Sequence, residues 1–190
     1  MKSDGMFRDL ALLTARLVVG ASIAAHGAQK MYGAFGGPGL EGAAKMFGSL
    51  GFSPAKTYAV AASAGELTSG VFIATGTLGP VGPAMLLSIM AVAVETVHRK
   101  NGYFAAKSGF ELNAMYAVLA LLLATQGYGR ISLDAATGLQ KATSPALGCL
   151  AIAGGLAVAG ATLSQRRIPP PGPQTIRVEK GSTEPAASEA

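Results

Sequence analysis

The chain has 190 residues, of which 50% are hydrophobic and 13% are charged, and its mean hydropathy is +0.41. Soluble domains usually carry about 25% charged residues, so this composition disfavours an ordinary soluble domain and favours a membrane protein. The net charge of +5 is scattered over the ends of apolar segments, which argues against a nucleic-acid surface, and the single cysteine excludes an intrachain disulfide and a CxxC dithiol.

Apolar segments along the chain predict an all-α transmembrane helical bundle. They cover about residues 7–31, 57–78, 81–97, 110–126 and 145–163. The first four, within residues 7–135, form one predicted membrane domain, and the fifth is an additional transmembrane helix. Apolar residues at helical spacing within 40–50 predict a short amphipathic helix at the membrane interface. Residues 165–190 are polar and rich in proline, so they are predicted to be disordered.

Lysine and arginine are unevenly distributed between the two sides of this predicted bundle. They are more numerous on the side that bears the loop 32–56 than on the side of the N-terminus. The positive-inside rule therefore places that loop and the C-terminal tail in the cytoplasm.

The first segment combines ionisable side chains with glycines on one face. At 100° per residue, Arg16, Gly20, Gly27 and Lys30 share a narrow stripe, and His26 lies at its margin. A charge at the bilayer centre costs roughly 2.5–3.5 kcal/mol on insertion scales, so it normally faces the bundle interior and finds a partner. The stripe therefore predicts that this helix forms the polar wall of the bundle.

Carboxylates on other segments are candidate partners. Glu66 lies in the middle of the second segment, and Glu111 lies in the first turn of the fourth, where the helix dipole favours a carboxylate. A buried pair of Arg16 with Glu66 is the predicted contact, either as a ligand site or as a structural ion pair. Alternatively, Arg16 reaches a membrane interface, His26 and Lys30 mark the far membrane boundary, and Glu111 is a solvated helix-end charge.

The candidate ligand site or buried polar network therefore consists of Arg16, His26, Lys30, Glu66 and Glu111. The sequence identifies no catalytic residue. With two histidines and no HxxE or HExxH cluster, it predicts no metal site.

In order and spacing, four stretches resemble the DoxX family of small bacterial membrane proteins. They are "ARLVVGASIAAHGAQK", "GELTSGVFIATGTLGP", "MAVAVETVHRKNGYF" and "GFELNAMYAVLALLLATQGYGRISLD". The resemblance covers about residues 10–135, so the fifth apolar segment and the Pro-rich tail depart from the family pattern.

The resemblance implies a multi-pass four-helix bundle in the inner (plasma) membrane. It also implies association with membrane oxidoreductase systems linked to oxidative-stress defence, thiol balance and quinone-like compounds. A related subunit belongs to thiosulfate:quinone oxidoreductase. The predicted function is a non-catalytic subunit or anchor that has no cofactor of its own. Its expected partners are the lipid bilayer, an oxidoreductase or thiol-handling protein and a bound quinone, with no nucleic acid. The alternatives are a stand-alone binder or proton-coupled transporter, in which the buried carboxylate carries protons, and a purely structural scaffold.

Overall fold

A computed structural model describes residues 2–167, which fold into seven α-helices joined by short turns. The helices are α1 (Lys2–Tyr32), α2 (Gly39–Ser49), α3 (Ala55–Thr75), α4 (Val81–Ala93), α5 (Glu111–Gln126), α6 (Leu133–Thr137) and α7 (Pro145–Ser164). There is no strand between residues 2 and 167, and the predicted all-α fold is confirmed.

The predicted segments correspond to α1, α3, α4, α5 and α7, and the predicted interfacial helix is α2. The second segment ends earlier than predicted because Gly76 adopts a left-handed conformation (φ +68°) that terminates α3. The third continues through a π-helical turn at Val94–His98. The polar connector after α5 contains a further short helix, α6, whose first turn is capped by the side chain of Ser132.

Close approach of α1 and α3 determines how the bundle is arranged. A Cβ atom at Gly20 would lie 2.6 Å from the carbonyl oxygen of Gly70, and one at Gly27 would lie 2.7 Å from that of Ser63. The two helices are therefore antiparallel and in backbone contact. Small residues allow this packing, which contributes strongly to helix association where lipid offers no hydrophobic driving force.

The core lies between α1, α3, α4 and α5, where Ile23, Ile73, Leu86 and Leu123 are fully buried. Helix α7 packs on the outside of this core, against α4 and α5. A second, smaller cluster lies where α2 covers the start of α3, with Phe47 buried. The amphipathic helix thus turns its apolar face to the bundle.

By length and apolar composition, three helical stretches within residues 2–167 can cross a membrane: Gly5–Tyr32, Val81–Asn101 and Pro145–Ser164. Helix α5 is apolar but shorter, and α3 does not qualify. Polar residues lower the hydropathy of α3. Three of them, Ser63, Glu66 and Ser69, are buried against neighbouring helices. Hydropathy therefore identifies fewer spans than the five predicted, although α3 and α5 belong to the same bundle.

The segment after α7 begins in an ordered conformation. The side chain of Arg166 donates to the carbonyl of Leu50 at 2.7 Å, and the backbone N–H of Arg167 donates to that of Gly51 at 2.8 Å. The prediction of disorder from residue 165 is wrong for 165–167, because these contacts fix them to the turn between α2 and α3. Residues 168–190 lie outside the described part of the chain.

Candidate functional site

Arg16 is completely buried, at 0% exposure, where α3 ends. Its Nη2 donates to the carbonyl of Ile131, and its guanidinium carbon lies 5.5 Å from the centre of the Tyr128 ring. It packs so tightly on Gly76 that a Cβ atom there would overlap Nη1. The cation therefore lies at the C-terminal end of α3, where the helix dipole favours positive charge.

The predicted ion pair between Arg16 and Glu66 is wrong. Glu66 instead accepts two hydrogen bonds from Lys30 Nζ, at 2.5 and 2.7 Å. The register of the antiparallel helices explains this, because Gly27 lies against Ser63 and the facing residues place Glu66 near the level of His26. Lys30, one turn further along, reaches back to the carboxylate, so it does more than mark a membrane boundary.

The other two candidate residues lie apart from this pair. His26 lies on the exposed side of α1. The carboxylate of Glu111 accepts the backbone N–H of Ala105 at 2.9 Å and so stabilises the loop before α5. The structure thus brings Lys30 and Glu66 together and gives Glu111 a loop-capping contact.

Three buried polar atoms lack a hydrogen-bond partner within residues 2–167: Nε and Nη1 of Arg16 and the hydroxyl oxygen of Tyr128. Burial raises the pKa of the Tyr128 hydroxyl, so this group is protonated at physiological pH and can donate. Buried donors without a partner are rare, because each loses its hydration without compensation. Arg16 and Tyr128 together therefore present donors that an acceptor can satisfy.

The segment from Gly127 to Asp134, which we term the 127–134 segment, covers Arg16. Asp9 holds it at one end by accepting from the backbone N–H and the guanidinium of Arg130. Asp134 holds it at the other end by accepting the backbone N–H groups of Leu78 and Gly79, at 2.9 and 2.6 Å, in the turn that precedes α4. These contacts join the segment to α1 and to the turn between α3 and α4.

A cavity of about 300 Å³ lies beside this segment. Its lining includes Tyr128, Ser132 and Asp134, together with the last residues of α5 and the first of α7. This volume is at the lower end of the range for small-molecule sites. Tyr128 belongs to the lining and Arg16 lies behind it, so the region suits a small ligand with carbonyl oxygens.

Sequence reasoning identified Arg16 but missed Tyr128, Asp134 and the Asp9–Arg130 pair. Asp9 offered a signal, since a carboxylate inside an apolar helix is costly without a partner. Tyr128 offered none, because it lies in a polar connector and only the fold brings it to Arg16.

Comparison with known proteins finds a family match for the first part of the bundle. The DoxX family model matches residues 11–99, which begin within α1 and extend through α2, α3 and α4. An uncharacterized protein of Haemophilus influenzae is 33% identical over 69 residues, which is 36% of this chain and 46% of that protein. The match thus spans less than half the length of that curated relative. No solved structure matches the chain.

Proposed function

We propose that this chain, a membrane protein that belongs to the DoxX family, is a non-catalytic multi-pass subunit or anchor of an inner-membrane oxidoreductase system and binds a quinone head beneath the 127–134 segment. The observation that carries the proposal is the set of unpartnered buried donors on Arg16 and Tyr128. A quinone head carries carbonyl oxygens that accept hydrogen bonds, and it enters the protein from the bilayer.

Arg16 and Tyr128 fit a quinone head in charge and in position. Arg16 remains cationic and cannot accept a hydrogen bond, and Tyr128 is held protonated by burial, so both favour an acceptor oxygen. The adjacent cavity of about 300 Å³ has both polar and apolar walls, as a ring with two polar ends requires. When bound, a quinone would accept electrons; the residues named here hold and orient it.

The oxidoreductase chemistry is assigned to a partner protein. The single cysteine cannot form an internal dithiol, so the thiol chemistry expected of the family's systems would need a second chain. The transporter alternative relies on a free buried carboxylate, whereas Glu66 is held by Lys30 at 2.5 Å. The subunit hypothesis is therefore the better supported of the two.

The test is purification of the full chain in mild detergent, followed by mass spectrometry of co-purifying proteins and quantification of extracted quinone. Tyr128→Phe removes the unpartnered hydroxyl, and we expect it to retain about tenfold less quinone, the equivalent of about one hydrogen bond. Tyr116→Phe is the matched control, because that hydroxyl already pairs with Ser22 at 2.8 Å.

A stoichiometric oxidoreductase together with quinone loss confined to Tyr128→Phe supports the proposal. A chain that reproducibly purifies without a protein partner contradicts the subunit assignment. Equal quinone content in the two tyrosine variants contradicts the site, and it would indicate that ordered water satisfies these donors.

A further inference from the structure

A second cavity, of about 390 Å³, lies between the end of α4 and the start of α5, and we term it the α4–α5 cavity. It is at the opposite end of the bundle from Arg16. Its walls are largely apolar, and the small side chains of Ala91, Ala114 and Ala117 create the space. A void of this size forfeits the dispersion contacts of its lining unless an apolar group fills it.

The α4–α5 cavity has one polar side chain in its buried wall. Asn113 is 8% exposed, and its amide nitrogen donates to the sulfur of Met90 at 3.4 Å. Sulfur is a weak acceptor, so this donor remains available for a better one. Asn113 lies in the first turn of α5, one helical turn from Phe110, where it could donate to an ester carbonyl of a bound phospholipid.

The rim of the cavity is charged. Glu95 lines it, and Arg99 binds Glu95 at 2.7 Å, which neutralises this carboxylate. The π-helical turn Val94–His98 begins at the same place. Such turns are frequent at functional sites.

Beyond the rim, the loop 99–110 joins α4 to α5 and carries no carboxylate. Lys100 and Lys107 are exposed in it. They have no salt-bridge partner within residues 2–167. Each lysine close to an anionic lipid surface favours binding about fivefold. The loop therefore complements a phosphate at the cavity entrance.

Aromatic side chains connect the cavity to this loop. Phe110 forms part of the cavity wall, and its ring packs edge-on against that of Tyr103, with centres 5.5 Å apart. Tyr103 and Phe104 are 49% and 63% exposed. Exposed aromatic rings beside lysines are typical of the headgroup region of a bilayer. The cavity entrance thus lies where lipid headgroups are available.

We propose that the α4–α5 cavity binds one acyl chain of an anionic phospholipid, whose phosphate is held by Lys100 and Lys107. The site is separate from the quinone site and does not depend on it. Apolar walls hold the chain, Asn113 faces the ester region, and the lysines select the negative headgroup.

The experiment is native mass spectrometry of the delipidated full chain with an equimolar mixture of phosphatidylglycerol and phosphatidylcholine. We expect wild type to bind at least tenfold more phosphatidylglycerol, because two lysines each contribute about fivefold. Lys100→Gln/Lys107→Gln should remove this preference. Lys45→Gln/Lys141→Gln, which changes the same charge at exposed positions elsewhere, should keep it.

The apolar part of the site is tested by Ala114→Phe, which places a ring in the cavity. We expect this variant to bind several-fold less of either lipid. Equal binding of both lipids by wild type, or equal losses in the two lysine pairs, would overturn the proposal. If Ala114→Phe does not fold, the two lysine pairs still decide the headgroup assignment.

Discussion

The pair of Lys30 with Glu66 is expected to be the main polar link between α1 and α3. Its side chains are 23% and 7% exposed, so the pair is largely removed from water, and its two hydrogen bonds measure 2.5 and 2.7 Å. Glu66→Gln removes the counter-charge of Lys30, whose side chain is largely buried. Removing one partner of a buried pair typically costs 3–5 kcal/mol, and the partial exposure of Lys30 lowers this to about 2–4 kcal/mol.

The measurement is thermal unfolding in detergent, in which 1 kcal/mol corresponds to about 2–4 °C for a chain of this size. We expect Glu66→Gln to unfold at least about 4 °C below wild type. Glu41→Gln is the matched control, because Glu41 meets Lys56 at 3.4 Å with side chains 80% and 65% exposed. Exposed pairs contribute about 0–1 kcal/mol. If both glutamine variants unfold at the same temperature, the reasoning about a buried link is refuted.

Two further predictions concern helix packing and the 127–134 segment. Gly20→Val should destabilise the protein by about 3 kcal/mol or more, because its Cβ would lie 2.6 Å from backbone atoms of α3. Gly154→Val, where a Cβ meets nothing within 4 Å, should change thermal stability little, and an equal loss in both variants would contradict the packing argument. Asp134→Asn should cost about 1–3 kcal/mol and increase proteolysis within 127–134, because two backbone N–H donors in the turn before α4 share its carboxylate. Unchanged proteolysis would show that the segment is held by other contacts.

Most helices could be predicted because their causes are local. Apolar runs define α1, α4, α5 and α7, and helical spacing defines α2. The stripe of Arg16, Gly20, Gly27 and Lys30 was also predictable, since it depends only on the helical repeat. The predicted partner of Glu66 was wrong, because Glu66 pairs with Lys30 and not with Arg16. Glu66 can face Arg16 or Lys30 depending on the offset between α1 and α3, and that offset is set by glycine contacts between helices.

Less of the candidate site than of the helices could be predicted from the sequence. Arg16 stood out as a charge in an apolar segment, whereas Tyr128 lies 112 positions away in the sequence and approaches it only after α5 has returned along the bundle. The burial that leaves Tyr128 without a partner is a property of the assembled fold. Short helix α6 was missed for a related reason, since five residues are too few to show periodicity.

The two polar features of α1 have different roles. Arg16 and Lys30 are separated by fourteen residues, or roughly 21 Å along the helix axis. Lys30 is satisfied within the protein by Glu66, whereas Arg16 retains two nitrogen atoms, Nε and Nη1, without a partner. This division assigns a structural role to Lys30 and a binding role to Arg16, and it predicts that the two roles can be separated by mutation.

The double variant Lys30→Met/Glu66→Met tests this separation. Replacing both members of a buried ion pair with apolar residues is often neutral or stabilising, so we expect it to recover most of the stability that Glu66→Gln loses. Because Arg16 and Tyr128 are untouched at the other end of the bundle, quinone content per folded molecule should equal that of wild type. Quinone extraction from the folded fraction, after gel filtration, provides the measurement. A double variant that folds stably but loses its quinone would place Lys30 and Glu66 in the ligand site and contradict the assignment to Arg16 and Tyr128.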